Sequence, residues 1–387
     1  MNKTEQKTLM ELLAEIPDER KGNGLKHILS EVIAIGILCI MCNGMTFTSM
    51  ELFGRTHEEA LREFMELPYG IPSHDTFRNI FTRLDPAAIE RCFSIWLGGM
   101  KEALGQLKDG EKTEHVIAID GKTIRHSETD KCKARHVITA YCSDLQVVLG
   151  QMTTDEKSNE ITAIPKLLKL LQIKGCTVTI DAMGTQREIA AAIKEKEADY
   201  ILSVKGNQPD LQESIQLQIE SELERGTQAE FEAKGQFACT IDKGHGRTDK
   251  RECWVFPDMS WYDRADAWAG PAGCAMIKNT RTFPNGKSTT DKRYFIYSRE
   301  NLTAKEFLSM QRSHWAIENS LHWVLDVTFK EDSANVRIGN AAVVLNMIRK
   351  MIMQMLKADS STKGSMKSKL LRCAWDFRYA INVLINA

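Results

Sequence analysis

Two aspartates occupy matching positions in the sequence, and both could bind a metal ion. The apolar run VIAI ends at Asp120 and the run TVTI ends at Asp181, and each is followed by a loop of small and polar residues. Ligands of open α/β sheets bind beyond the carboxyl ends of the strands, so the two carboxylates could face one another there. They would repel each other unless a divalent cation lay between them. A single strand-end aspartate is more often a turn former, and only the repeated pattern favours a site.

A third carboxylate lies far along the chain, in the stretch RSHWAIENSLHW. Glu318 is flanked there by tryptophans and an isoleucine, so it would be poorly solvated if this helix packed against the rest of the protein. A buried carboxylate needs a cation as partner or a raised pKa. The alternative is a surface glutamate beside an apolar stripe, in which Trp315, Leu321 and Trp323 are packing residues.

The elements that must position these acids follow the pattern of an α/β protein. Strand-like runs alternate with amphipathic helices from 116 to 206, which favours a sheet with a parallel portion. Residues 1–105 carry helical patterns, among them a run at 29–41 that is apolar on nearly all sides and is expected inside the domain. A helix followed by short strand-like segments at 207–300 indicates a β-rich insertion, and helical spacing returns at 303–332.

The bulk charge gives no global sign of a nucleic-acid partner. The 387 residues include 51 Lys and Arg against 52 Asp and Glu, a formal net charge of -1. A local basic face could still be balanced elsewhere on the molecule. The clearest basic region is C-terminal, where eight Lys and Arg stand against two Asp between Asn346 and Arg378.

Cysteine usage and hydropathy indicate a cytosolic protein. The ten cysteines follow no pattern, and the charged N-terminus has no apolar segment typical of a signal peptide. The longest apolar run, at 32–42, is too short to span a bilayer, so no membrane partner is expected. Cys39 and Cys42 lack a second ligand pair and are expected in the core rather than on zinc.

Four motifs resemble those of a known family: AIDGKTIRHS, TIDAMGTQ, YILSVKGNQ and HWAIENSLHWVLDVTFKED. Together they resemble the DDE transposases of bacterial insertion sequences, and most closely the H-repeat-associated branch. The N-terminal stretches IPDER and GIPSHDTFRNIF resemble the leading domain of that branch, so the resemblance covers nearly the whole chain. It implies an α/β fold, with an RNase H-like mixed sheet flanked by helices, a β-rich insertion and an all-helical N-terminal domain. It also implies that Asp120, Asp181 and Glu318 form the catalytic, metal-binding triad.

The same resemblance implies a division into domains. The predicted units are 1–105 as the helical N-terminal domain, 116–206 with 301–358 as the RNase H-like catalytic domain, 207–300 as the projecting insertion, and 359–387 as a basic C-terminal tail or helix, with 105–115 as a linker.

The implied chemistry is cleavage and strand transfer at the ends of an insertion element. Such enzymes break a phosphodiester with water and then join the freed 3′-hydroxyl to target DNA. Two Mg²⁺ ions, roughly 3.5–4 Å apart, can stabilise the attacking and leaving oxygens together, and Mn²⁺ can substitute. The implied partners are double-stranded DNA, as inverted-repeat ends and target, and a second copy of the chain in a homodimer on DNA. The expected location is the cytoplasm, on the nucleoid when the protein is bound to DNA.

Several basic residues are candidate contacts to DNA. Lys122 and Arg125 lie in the basic loop behind the first aspartate, and Lys205 follows the third predicted strand. Arg312 and His314 precede the glutamate of the triad. Each of these could instead be a solvated charge.

A further loop, KGHGRTDKREC, offers two more candidates. It holds His245 and Arg247 between glycines and could touch DNA from the insertion. A plain hairpin turn explains the same residues equally well.

The stretch around the glutamate departs from the related pattern Tyr-x2-Arg-x3-Glu-x6-Lys. Gln311 stands at the tyrosine position, His314 at the arginine position and Leu325 at the lysine position, although Arg312, His314 or Lys330 could substitute. This departure and the near-zero net charge leave open a non-catalytic DNA-binding protein descended from a transposase. The near-neutral charge also permits a metal phosphodiesterase that acts on a small nucleotide, although the long insertion and the basic C-terminus disfavour it.

Overall fold

The computed structural model describes residues 7–103, 115–128, 133–154, 160–244 and 246–387. His245 and all but the last residue of the predicted linker lie outside these ranges. Among the described helices, none is long and apolar enough to cross a membrane.

The described residues form a mixed α/β protein. The α-helices lie at Leu9–Ala14 (α1), Leu29–Met41 (α2), Phe47–Thr56 (α3), Glu58–Leu61 (α4), His74–Arg83 (α5), Pro86–Ala103 (α6), Glu160–Leu170 (α7), Arg187–Glu195 (α8), Pro209–Arg225 (α9), Gln228–Ala233 (α10), Ala304–His314 (α11), Ala341–Ala358 (α12), Met366–Trp375 (α13) and Phe377–Ile385 (α14). The β-strands lie at Val116–Thr123 (β1), His136–Cys142 (β2), Val147–Thr154 (β3), Thr177–Ile180 (β4), Asp199–Val204 (β5), Phe237–Gly244 (β6), Arg247–Pro257 (β7), Gly273–Thr282 (β8) and Ser288–Tyr297 (β9).

All of these strands belong to one sheet, in the order β3-β2-β1-β4-β5-β9-β8-β7-β6. β1, β4 and β5 are parallel to one another, as their apolar sequences predict, whereas the other neighbouring pairs are antiparallel. β9 pairs with β5. The strands of the predicted insertion therefore extend the central sheet along its own plane.

Two helical layers cover the sheet. α7, α8 and α9 pack on one face, with buried side chains such as Leu167, Ile189 and Ile215 in one apolar core. The other face carries a larger core, to which the helices of residues 7–103, the segment after α11 and α12–α14 all contribute. The two ends of the chain meet in this layer, where the Leu9 N–H donates to the carbonyl of Ala387 at 3.0 Å.

Two helices form the centre of the larger core. Every residue of α2 is buried, which confirms the expectation from its sequence, and α12 is buried from Ala341 to Leu356. The basic C-terminal region lies partly inside this layer. Lys369, for example, donates to the carbonyls of Leu356 and Asp359 at 2.6 Å each and so satisfies the end of α12.

After α11 the chain continues as a helix with wider, π-helical turns, called the widened helix below. Glu318–His322 and Val324–Thr328 are π-helical, and the Phe329 N–H donates five residues back to the carbonyl of Val324 at 3.1 Å. Such turns are rare and occur frequently at functional sites. Ile317, Leu321, Leu325 and Phe329 are fully buried at intervals of four, so this segment has one continuous face in the core.

Candidate active site

Asp120 lies within β1 rather than at its end. The register with β2 continues from Asp120 opposite Thr139 to Thr123 opposite His136, so the predicted loop residues Gly-Lys-Thr still belong to the strand. Side chains alternate along a strand. Asp120 consequently lies on the same face as Ala118, which packs in the larger core beside the 317–329 segment.

Gly121 faces the opposite side of the sheet, where there is no room for a side chain. His136 Nε2 and Glu160 Oε1 are hydrogen-bonded at 2.5 Å, and both are buried. A Cβ on Gly121 would lie 2.3 Å from that nitrogen and 2.5 Å from that oxygen. The glycine next to Asp120 therefore lets a buried imidazole–carboxylate pair pack directly behind the aspartate.

Asp181 directly follows β4, as its sequence predicts. One oxygen, Oδ1, accepts hydrogen bonds from the N–H groups of Met183 at 3.1 Å and Gly184 at 3.3 Å. The turn-former interpretation is thus correct for this oxygen, and the carboxylate has a second oxygen with which to bind a ligand. Because β1 and β4 are adjacent and parallel, Asp120 and Asp181 come to neighbouring positions.

Glu318 begins the first widened turn and is exposed to solvent. The expectation of a poorly solvated carboxylate therefore holds for Asp120 instead. Burial raises the pKa of Asp120 to about 7, and the negative charges of Asp181 and Glu318 add to this effect. Asp181 and Glu318 thus lie close enough to Asp120 to oppose its negative charge, which is the condition a divalent cation relieves.

The spacing of the three acids differs from that of a closed single-ion site. Within the part of the chain that the structure describes, the group of three metal-ligating side chains with all ligand atoms within 4.8 Å is His115, Cys142 and Asp144. That group lies at the opposite end of β1, and His115 Nδ1 is hydrogen-bonded to Asp144 at 2.5 Å. Asp120, Asp181 and Glu318 do not form a group this close among the described residues.

His322 is a site residue that the sequence analysis missed. Its Nδ1 lies 3.5 Å from Asp120 Oδ2, and its side chain is 12% exposed. Burial lowers the pKa of His322 to about 3, and Lys350 and Lys122 act in the same direction, so the imidazole is neutral. The available signal was its spacing, since a residue four positions after Glu318 lies on the same face of a helix.

Lys122 points from β1 into a cluster of acids that follows the widened helix. Its Nζ forms ion pairs with Asp326, with Glu331 Oε2 at 2.8 Å and with Asp332 at 3.8 Å, and the side chain is 13% exposed. Arg125 pairs with Asp332 at 3.2 Å but remains 70% exposed. Lys122 therefore fixes the 326–332 segment to the strand that carries Asp120, and a contact from it to phosphate stays a prediction.

Glu331 joins this cluster to α12. Its Oε1 accepts from Asn346 Nδ2 at 2.9 Å and from Arg349 Nη1 at 3.2 Å, while its Oε2 accepts from Lys122. Burial alone would raise the pKa of Glu331, but Arg349 and Lys122 outweigh it and lower the pKa to about 2. Lys122, from the basic stretch after Asp120, and Arg349, from the basic C-terminal region, thus form ion pairs inside the protein.

The other predicted DNA contacts lie around the site at different depths. His314 Nδ1 is hydrogen-bonded to Thr179 Oγ1 at 2.9 Å, two residues before Asp181, and burial lowers its pKa. Arg312 is exposed and pairs with Asp242 of β6 at 3.1 Å. Lys205 is exposed directly after β5.

A basic cleft lies between the insertion strands and the end of α11. The guanidinium groups of Arg251 and Arg293 lie 5.9 and 5.4 Å from the ring centre of Trp315. The cleft has a volume of about 330 Å³ and is also lined by Arg247 and Arg281, and by Asp249 and Asp291, which form ion pairs with all four arginines. The ring of Trp315 packs against two of these arginine side chains.

Of the other two predicted packing residues, one is buried and one is not. Leu321 is fully buried, but Trp323 is 56% exposed. The expectation for Trp323 is wrong because the widened turn carries it to the outer side of the helix.

Comparison with known proteins identifies relatives along almost the whole chain. The family model described as "Transposase DDE domain" matches residues 111–355, and the one described as "DDE_Tnp_1-associated" matches residues 10–97. The chain is 36% identical over 387 residues to "Putative transposase YncI" of Escherichia coli O157:H7, covering 98% of this chain and 95% of the relative. It is 36% identical over 392 residues to "H repeat-associated putative transposase YhhI" of Escherichia coli strain K12, covering 99% of both.

A solved structure, the piggyBac transposase synaptic complex with hairpin DNA, covers 97% of this chain and 77% of its own, with a TM-score of 0.45 and 10% sequence identity. The family model extends over well over half of the chain, and both bacterial relatives match at nearly full length. The chain therefore belongs to the DDE transposases, in the H-repeat-associated branch.

Proposed function

We propose that this protein is a metal-dependent transposase that cleaves DNA at the ends of its own insertion element and transfers the freed strand to target DNA. The observation that supports the proposal is the proximity of Asp120 to both Asp181 and Glu318. The acids come from three distant parts of the chain, and the charges of two raise the pKa of the third. We take β3-β2-β1-β4-β5, with its antiparallel β2, as an RNase H-like core.

The donor set fits hard divalent cations, since Mg²⁺ takes a few carboxylates and completes its shell with water and phosphate oxygens. Asp120, Asp181 and Glu318 would hold them. When bound, two Mg²⁺ or Mn²⁺ ions supply positive charge that stabilises the attacking and leaving oxygens at phosphorus. The chain itself fixes Asp120 on a rigid strand, and the turn after β4 orients Asp181.

The basic cleft is the proposed path for DNA toward the acids. Arginine guanidinium groups bind phosphates in a bidentate manner, and an aromatic ring offers a base a surface to stack on. Arg251 and Arg293 supply the guanidinium groups, and Trp315 supplies the ring. Trp315 lies three residues before Glu318. We further propose a homodimer on DNA, acting in the cytoplasm, in which each copy meets one inverted-repeat end.

Of the basic residues singled out in the sequence, the exposed ones suit phosphate contacts best. These are Arg125, Lys205 and Arg312. Lys122 and His314 point inward, to Glu331 and Thr179 respectively. We propose that these two hold the elements that carry the triad.

Strand cleavage of a duplex made from the DNA that flanks the coding frame tests this function. With Mg²⁺ present, the parent protein should nick the duplex, and Asp120→Asn, Asp181→Asn and Glu318→Gln should each abolish nicking. Glu197→Gln is the matched control, because Glu197 pairs with Lys174 on the surface and both side chains are more than half exposed. Cleavage by the triad variants at the parent rate would refute the proposal.

The same experiment distinguishes the transposase from a non-catalytic DNA-binding protein. Leu325 favours that alternative, because it is buried at the position where the related pattern has a lysine. A protein of that kind would bind the duplex without cleaving it, and its binding would be unaffected by the triad substitutions. Competition between duplex DNA and mononucleotides would expose a small-nucleotide phosphodiesterase.

A further inference from the structure

We propose that His322 is a nitrogen ligand of the metal site, and that it biases the site toward Mn²⁺ over Mg²⁺. The inference rests on the proposed function in one respect, namely that Asp120 is a metal ligand.

The relative position of His322 and Asp120 is the first support. Nδ1 and Oδ2 face each other at 3.5 Å, which is too long for a normal N–H···O hydrogen bond. Two atoms that each lie about 2.1 Å from one octahedral cation are themselves about 3 Å apart. A small closure between the helix and β1 would therefore bring both atoms onto one ion.

The surroundings of the imidazole are the second support. Among the described residues, His322 Nε2 is buried and has no hydrogen-bond partner. The ring is thus not held by a second hydrogen bond that would direct Nδ1 elsewhere. The polar group that Nδ1 faces is Asp120, a candidate metal ligand.

The widened helix is the third support. Glu318 and His322 are the first and last residues of one π-helical segment, and Asp326 lies four residues further on. Asp326 is paired with Lys122, two residues from Asp120 on the same face of β1. The row Glu318, His322 and Asp326 therefore runs along β1, with His322 opposite Asp120.

The chemical consequence concerns the choice of cation. Carboxylate oxygens and water suit Mg²⁺ and Mn²⁺ alike, and imidazole is a ligand of transition metals. A nitrogen ligand therefore raises the affinity of the site for Mn²⁺, a transition metal, relative to Mg²⁺. A site with oxygen ligands alone would discriminate less between the two ions.

Pulsed electron paramagnetic resonance on the full-length protein with Mn²⁺ tests the inference directly. We expect the bound Mn²⁺ to show a directly coordinated ¹⁴N, and the coupling to change when the protein is labelled with ¹⁵N-histidine. This comparison needs no variant, so a folding defect cannot obscure it. Absence of nitrogen coupling in the labelled and unlabelled parent would overturn the inference.

Substitution then assigns the nitrogen. His322→Asn should remove the coupling and weaken Mn²⁺ binding by roughly tenfold or more, since even the outer partners of metal ligands typically contribute 10–100-fold to affinity. Binding of Mg²⁺, measured by competition, should change much less. His74→Asn is the matched control, because this imidazole pairs with Glu51 of α3 at 2.8 Å and its loss should leave the coupling in place. Coupling that survives in His322→Asn but disappears in His314→Asn would assign the ligand to His314 and overturn the inference.

The inference and the proposed function fail separately. Nitrogen coupling without strand cleavage would keep His322 as a ligand and refute the transposase activity. Cleavage without nitrogen coupling would keep the activity and refute the role of His322.

Discussion

Replacement of Glu331 by glutamine should destabilise the protein strongly. The side chain is 1% exposed and accepts charged hydrogen bonds from Lys122 and Arg349. Glutamine has nearly the same size but no charge, so the variant leaves two cations buried against an amide. Removal of one partner from a buried ion pair typically costs about 3–5 kcal/mol.

The pKa of Glu331 gives a second route to this magnitude. Folding lowers the pKa from 4.5 to about 2, because Arg349 and Lys122 outweigh the effect of burial. At about 1.4 kcal/mol per pH unit, this change corresponds to roughly 3 kcal/mol of stability near neutral pH. The contribution is complete above pH 4.5 and is lost as the pH falls through about 2. The parent and Glu331→Gln should therefore converge in strong acid.

Urea unfolding followed by tryptophan fluorescence measures the effect. Glu197→Gln removes a carboxylate from an exposed pair and should shift the free energy of unfolding by less than about 1 kcal/mol. If Glu331→Gln unfolds at the same urea concentration as Glu197→Gln, the buried cluster does not stabilise the fold and the reasoning is wrong.

Three further predictions concern the core, the internal charges and the basic cleft. Gly121→Ala should cost about 1–3 kcal/mol in urea unfolding, because its Cβ would meet the imidazole behind β1, whereas Gly98→Ala, in open space on α6, should stabilise by about 0.5–1 kcal/mol. Burial lowers the pKa of Lys350 from 10.5 to about 8 in the folded chain. Between these two pH values the side chain is therefore protonated in the unfolded chain and deprotonated in the folded chain. The stability of the parent relative to Lys350→Met, followed by urea unfolding, should accordingly rise across that range. Trp315→Ala should weaken binding of single-stranded DNA in a fluorescence-anisotropy titration by about 1–3 kcal/mol, and Trp375→Ala, on an 80% exposed ring of α13, should not.

The elements that carry the acids could be predicted because their sequences repeat a simple pattern. β1, β4 and β5 are short apolar runs, as strands covered on both faces must be, and Asp181 follows its strand as predicted. The end of β1 could not be placed, because Gly121 looks like a loop residue until His136 is known to pack behind it.

The partners of the charged residues could not be predicted, because they depend on tertiary contacts, which in the case of Lys122 and Glu331 join residues 209 positions apart. The basic residues Lys122 and Arg349 invite an interpretation as a DNA surface, yet both pair with Glu331. The widened turns after α11 also have no signal in the sequence, so the spacing of His322 from Glu318 could indicate a shared helix face but not the position of His322 opposite Asp120.

Buried ion pairs connect the larger helical layer to the strand that carries Asp120. Glu331 receives Arg349 from α12, the central helix of the larger core, and Lys122 from β1. Lys122 stands two residues from Asp120 and also holds Asp326, on the helix that carries Glu318 and His322. Any shift of that helix along β1 must break an ion pair that is shielded from water. α12 is therefore coupled to the acids through this cluster, and a substitution of Arg349 should alter the site without touching it.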